Sequence, residues 1–315
     1  MQSPQHIKSR LKSVKNIGQI TKAMEVVSAT KMRKAQEVAL RSRPYAFKAL
    51  ELLETLMRVM ANDELRMKNV ELKLAEKREI KNTLIVIVAS DRGLAGAFNS
   101  QVLRMVENFF KADAVGSYSA VLVGKKSQNY INKKNIPVVQ MFTGFGDFVL
   151  PEEIEPLEQL VVKGFLEGTW DRVMTVSTHF RSTLKQETLV RQLLPLDVDK
   201  IAETVKEIVP EQGRFSEARP QETFPRSRLG VEYIFEPDPA SAVSALLPHL
   251  VKMQLYHLIL EANASEHSAR MVAMKTASDN AGELADDLTL EFNKARQASI
   301  TKEIIEITST MNALQ

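Results

Sequence analysis

The chain of 315 residues contains no cysteine and a single tryptophan. Without cysteine there is no disulfide framework, no thiolate metal site and no thiol chemistry, which agrees with a reducing compartment. Long hydrophobic runs are missing as well. The longest, Thr83 to Ala89, is only strand-length, and nothing approaches the ~18 apolar residues that would cross a bilayer. The first residues, MQSPQHIKSRLKS, carry no hydrophobic signal core. Neither sign of charge dominates: the formal net charge of +3 is too small to name a partner. What remains, 44% hydrophobic and 26% charged residues, is the profile of a soluble, folded protein with room for one large or two ordinary domains.

Proline and glycine, the residues that stop helices, are scarcest at the end. From Asp238 to Leu314 there is no proline after Pro248 and Gly282 is the only glycine, so this stretch reads as one helix. Within it Met274, Ala277, Ala281, Leu284 and Leu288 step by threes and fours, as do Ile300, Ile304, Ile307, Met311 and Leu314. That spacing is a coiled-coil seam and demands a partner. A helix of about 70 residues is on the order of 100 Å long and is expected to protrude.

The opening of the chain offers such a partner. Gln5 to about Met60 reads as a second long helix, with Ile7, Leu11, Val14, Ile17, Ile20, Met24 and Val27 at helical spacing and Ala49, Leu53, Leu56 and Met60 restoring the stripe later. Pro44 is expected to kink or interrupt it. Between Lys8 and Arg43 there are ten Lys or Arg against Glu25 and Glu37, whereas Glu261 to Glu306 holds nine acids against five bases. The two ends are electrostatically complementary. A basic helix of this kind also suits nucleic acid or an acidic protein surface.

A charged connector, residues 61–81, leads to a different pattern. Thr83 to Ala89 is β-branched and continuously apolar, as in a strand buried on both faces. The turn Ser90-Asp-Arg-Gly-Leu-Ala-Gly96 and a helical pattern from Ala97 to Lys111 follow. Further strands are expected at Ala120–Val123, Val138–Phe142, Arg172–Ser177, Leu189–Leu196 and Val231–Phe235. Helices are expected at Lys125–Lys134, Glu152–Glu167 and Ile201–Ile208, and a loop at Pro210–Arg228. The alternation predicts an α/β domain with a mainly parallel sheet.

A glycine turn between a buried strand and a helix can cradle a phosphate. Here, however, G-x-G-x-x-G and a Walker lysine are both missing, and Gly124-Lys125-Lys126 stands where a ribose-binding acid would be. The plainer reading is a tight connection permitted by Gly93 and Gly96, with Asp91 or Asn99 capping. His6, His179, His249, His257 and His267 are scattered, and no serine, histidine and acid grouping stands out. No catalytic, cofactor-binding or metal residues are expected.

Both termini resemble one family. Ile7-Lys-Ser-Arg-Leu-Lys-Ser-Val-Lys-Asn-Ile-Gly-Gln-Ile-Thr-Lys-Ala-Met-Glu-Val-Val-Ser-Ala-Thr-Lys-Met-Arg-Lys-Ala-Gln36 looks like the opening of the gamma subunit of F-type ATP synthases. Ser265 to Asn280 and Asn293 to Ile307 are similar to that family's C-terminal signature, and Ser90 to Gly96 and Phe235 to Pro239 agree in between. Where the family ends with a Gly-Ala pair, this chain has Ser309-Thr-Met-Asn-Ala-Leu314.

The resemblance implies a Rossmann-like α/β domain inserted between two terminal helices that form an antiparallel coiled coil. The expected boundaries are 1–60 for the first helix, 61–81 for the connector, 82–237 for the domain and 238–315 for the last helix. It also implies a central-stalk rotor that couples proton flow to ATP synthesis or hydrolysis without an active site of its own. The partners would be the alpha and beta subunits, the epsilon subunit and the c-ring, at the cytoplasmic face of a bacterial inner membrane, with no nucleic acid and no small-molecule substrate bound directly. By resemblance, Arg296, Gln297, Thr301, Met24 and Lys22 face the alpha and beta subunits, and Tyr233, Phe235 and Glu236 face the c-ring. With no cysteine pair, the thiol switch of chloroplast members is excluded. From the residues alone, a nucleotide-dependent α/β enzyme and a nucleic-acid-binding coiled coil remain the alternatives.

Overall fold

The structure, a computed structural model, describes residues 3–61, 73–113, 116–146, 149–197, 236 and 238–313. The strand expected at 231–235, the helix at 201–208, the loop at 210–228 and most of the connector lie outside the described residues. The chain divides into two compact units: Met1–Ala29 with Arg270–Gln315, and Thr30–Ala269.

The larger unit is built on a five-stranded sheet in the order β3-β2-β1-β4-β5. Strands β1 (Asn82–Val88), β2 (Ser117–Val123), β3 (Val138–Phe142) and β4 (Arg172–Phe180) run parallel, and β5 (Gln186–Leu194) returns antiparallel beside β4. The central position of β1 explains its composition. Leu84, Val86 and Val88 pack on one face and Ile85 and Ile87 on the other, all at most 4% exposed. At about 1.5–3 kcal/mol for each large side chain buried, such a strand stabilises both layers at once. Its start is fixed by Asp171, whose Oδ2 accepts the N–H groups of Lys81 and Asn82, each at 2.9 Å.

Helices cover both faces. Helix α2 (Phe98–Ala112) buries Phe98, Val102 and Val106 at a spacing of four. With Ile131 of the short helix α3 (Gln128–Lys133), the two valines close the Ile85 and Ile87 face. The opposite face receives α4 (Glu155–Leu166), through Leu157, Val161 and Phe165, together with Val243, Leu247, Leu250 and Leu255. Those four residues belong to α5 (Pro239–Ala313), a helix of 75 residues. This is the expected Rossmann-like α/β arrangement. In α4 the position of Gly164 is forced by packing, since a Cβ there would come within 2.0 Å of the Trp170 ring.

Helix α1 (Pro4–Ala61) runs through Pro44 without a break, contrary to expectation. Losing one backbone bond costs about 3 kcal/mol locally. The helix stays packed on either side of the proline, with Ala39 and Ala49 buried in the sheet-side core. Part of α5 has a mean hydropathy of 1.2 over 18 residues, with 61% of that window buried inside the protein. Its apolar character thus serves the core that it fills.

Candidate functional site

In the smaller unit the first turns of α1 pair with the end of α5. On α1, Ile7, Leu11, Val14, Gly18, Thr21, Glu25 and Ser28 form a buried and half-buried stripe at alternating steps of four and three, with Met24 and Ala29 half-buried beside it. On α5 the stripe falls at Met274, Ala277, Ala281, Ala285, Leu288, Phe292, Ala295 and Ser299. The helices approach closely at Gly18, where an added Cβ would lie 3.4 Å from the Cβ of Ala281. Ser278 Oγ donates to the Gly18 carbonyl at 3.4 Å. Helix α1 leads out of this unit after Ala29 and α5 leads back into it from Arg270, so the chain departs along one helix and returns along the other and the coil is antiparallel.

The seam differs from the one that apolarity suggested. Ile17, Ile20 and Val27 are 52–59% exposed, and Leu284 is 44% exposed. Close approach selects small side chains, so Gly18, Thr21 and Ser28 hold the buried stripe of α1, and Ala285 takes the place expected for Leu284. Among the described residues, the second run on α5 has no seam partner in this chain. Ile300, Ile304, Ile307 and Met311 are 47–65% exposed, and Leu314 lies outside the described residues.

Of the expected contact residues, Arg296, Gln297 and Thr301 are exposed on α5, and Met24 is half-buried. The Met24 carbonyl accepts from Ser28 Oγ at 2.7 Å. Lys22 donates to Glu25 Oε2 at 2.9 Å, and this pairing raises its pKa above the ordinary value. Glu236 is exposed in a bend, while Tyr233 and Phe235 lie outside the described residues.

At the C-terminal edge of the sheet the glycine turn is drawn closed from within. Asp91 does not cap α2: its Oδ1 accepts the Lys125 N–H, at the start of the turn leading into α3, at 3.1 Å and its Oδ2 the Gly144 N–H at 2.8 Å. One carboxylate thereby ties together the loops after β1, β2 and β3. Asn99 also turns inward, its Oδ1 accepting from the Ser90 N–H at 3.1 Å, and α2 starts without a side-chain cap. Of the two glycines expected to permit the tight connection, Gly96 takes a positive φ of 54° and Gly93 does not, while Leu94 shares the left-handed region at 63°. The nearest anion to these N–H groups is the protein's own, which argues for a braced loop over a phosphate cradle.

Sequence reading missed a buried polar cluster between the sheet and α5. His179 on β4 lies 2.9 Å from Glu261 Oε2, and Arg191 on β5 lies 3.6 Å from the same oxygen. Burial disfavours the Glu261 carboxylate, yet the His179 and Arg191 partners outweigh it and hold the carboxyl below its ordinary range. The pKa of His257, one turn before Glu261, is lowered as well, here by burial, down to about 4 against the pull of Glu261. Partners 82 residues apart leave no local signal in the sequence.

The ATP synthase family model matches residues 3–314. Gamma chains of ATP synthase from Opitutus terrae and from a Synechococcus strain are 40% and 39% identical, over 99% and 98% of this chain and the same shares of theirs. The chain belongs to the ATP synthase gamma-chain family. The gamma chain of Roseiflexus castenholzii is 38% identical over 100% of this chain and 99% of its own. Among solved structures, a chain of the Euglena gracilis mitochondrial ATP synthase, in its F1 and c-ring assembly, aligns with a TM-score of 0.60 at 18% identity, covering 99% of this chain and 94% of that one. A chain of the Tetrahymena thermophila central stalk and c-ring aligns at 0.56 with 21% identity, covering 82% and 99%. These two likenesses concern the fold. The gamma-chain relatives match the coil and the sheet domain together, end to end.

Proposed function

We propose that this chain is the rotor subunit of an F-type ATP synthase and acts mechanically, with no active site of its own. The antiparallel coil would be the shaft inside the hexamer of alpha and beta subunits. The segment ending at Pro239 would rest on the c-ring, with the epsilon subunit alongside, at the cytoplasmic face of a bacterial inner membrane. The observation that carries the reading is the exposed apolar run Ile300, Ile304, Ile307 and Met311, beyond the last half-buried position of the coil at Ser299. A soluble helix that keeps four large apolar side chains in one stripe is built to be enclosed by something else. A sleeve of catalytic subunits supplies that enclosure.

An asymmetric shaft makes different contacts with chemically identical catalytic sites, so their equilibria differ; coupling is a difference of contact energies. Arg296 is the expected charged contact, because its fork suits a carboxylate across an interface. Purification from the native membrane under mild conditions tests the reading. Alpha and beta subunits should accompany the chain in stoichiometric amount, and their absence would sink it.

A further inference from the structure

Strand β3 closes one side of the sheet and, among the described residues, pairs with β2 alone. Sheets ordinarily protect such an edge with charge, with proline inside the strand or with a covering loop. Within Val-Val-Gln-Met-Phe there is neither a charge nor a proline; the register with β2 slips once, leaving Val139 as an extra residue between Val138 and Gln140, and beyond that bulge the strand pairs regularly to Phe142. Val138, Val139 and Met141 are 37%, 42% and 37% exposed, and Gln140 is exposed as well. The backbone direction is fixed at its end. The Gly124 N–H donates to the Phe142 carbonyl at 2.9 Å, so Phe142 turns its polar groups toward β2. Polar groups alternate along a strand, so the N–H and C=O of Met141 point outward from the sheet.

The rim of this edge is basic. Residues 124–146 include Lys125, Lys126, Lys133 and Lys134, all exposed, and no Asp or Glu. Two acids of neighbouring elements are engaged: Glu107 is shared between Lys111 at 3.3 Å and Lys134 at 3.8 Å, and Asp91 is held by two backbone N–H groups. An outward row of donors and acceptors, with apolar side chains on the strand and surplus positive charge around it, matches a polypeptide in extended conformation that carries acidic side chains.

We propose that β3 is a docking edge at which an extended, acidic segment of another protein chain adds to the sheet. This goes beyond the rotor reading and rests on it only in that the partner is sought in the membrane-derived assembly. The test compares amide hydrogen exchange across β3 in the purified chain and in the assembly isolated from its native membrane. The Met141 amide should exchange at least about tenfold more slowly in the assembly. A photoreactive side chain at Val139 should cross-link to a segment rich in Asp or Glu on a different chain. Met141→Pro removes the outward donor while leaving the Phe142 bond to Gly124, and should abolish the added protection. A second variant, Lys125→Glu with Lys133→Glu, changes only exposed side chains and should also return β3 exchange to the free-chain rate. Equal exchange in the free and assembled forms overturns the proposal. So does protection that survives the double charge reversal, or a cross-link to a second copy of this chain. An assembly without alpha and beta subunits would count against the rotor reading alone, because β3 protection is read independently in whatever assembly the membrane yields.

Discussion

His257 sets a quantitative expectation for acid. Its imidazole is 3% exposed on α5, and burial lowers its pKa from the ordinary 6.5 to about 4. Above pH 6.5 the ring is neutral in both the folded and the unfolded chain, and it contributes no pH dependence. Between pH 6.5 and 4 the unfolded chain takes up a proton that the folded chain refuses, so stability falls by ~1.4 kcal/mol per pH unit. The accumulated loss by pH 4 is about 3 kcal/mol, a sizeable share of the 5–15 kcal/mol that holds a typical domain together. Glu261 acts in the same direction at lower pH. Its folded pKa is depressed, so its contribution is present above the ordinary carboxyl value and is lost as pH falls through the folded one. Denaturant unfolding of the full chain, followed by circular dichroism at pH 7.5, 6.5, 5.5 and 4.5, reads the slope. The comparison is His257→Phe, which fills a similar volume and does not titrate. The wild type should lose stability across the two lower steps and the variant should lose much less. Parallel curves for the two proteins would refute the assignment of the acid sensitivity to His257.

Other substitutions divide the seam from the exposed surface. Leu288, 3% exposed, should not tolerate Asp: several kcal/mol of coil stability should be lost, seen as a lower midpoint in the isolated chain. Ile304→Asp, at a site 58% exposed, should leave that midpoint unchanged and weaken only assembly with alpha and beta subunits. Gly164→Ala should displace the Trp170 ring and break its Nε1 hydrogen bond to the Val161 carbonyl, now 3.0 Å, at about 2–4 kcal/mol; a blue-shifted or red-shifted tryptophan emission reports the displacement. Arg296→Ala should lower ATP turnover of the assembled complex while sparing the fold; unchanged turnover and coupling would remove it from the contact surface. Glu236→Lys should leave hydrolysis by the detached catalytic part intact and reduce proton pumping most at low salt, where surface charge is least screened.

The α/β pattern was readable because its strands are extreme in composition. Strand β1 is buried on both faces, so its residues from Thr83 onward form a run that no helix of the chain imitates. The coil was readable as a coil but not in register. Periodicity of apolar residues presumes that burial selects bulk, whereas at Gly18 and Ala281 it selects the absence of bulk. The same reasoning misplaced Ile300 to Met311, because a pattern shows that a stripe must be covered without showing which chain covers it. Asp91 was visible as a candidate cap, yet its partners Lys125 and Gly144 are 34 and 53 residues away. The cluster around Glu261 joins three elements, and only folding brings them together. The expected contact residues on α5 are placed on an exposed surface, which is a condition for their role and no measure of it.

The antiparallel pairing of the chain's two ends also imposes an order in time. Gly18 meets Ser278, 260 residues later, and ribosomes add roughly 5–20 residues per second. The first turns of α1 therefore exist for tens of seconds before the matching part of α5 has been made. During that interval Ile7, buried in the finished coil, has nothing to bury against, and the basic stretch from Lys8 to Lys22 stands beside the polyanionic ribosome. Whatever protects a nascent chain must hold this segment longest, and a slowed ribosome late in the message would lengthen the exposure of its beginning.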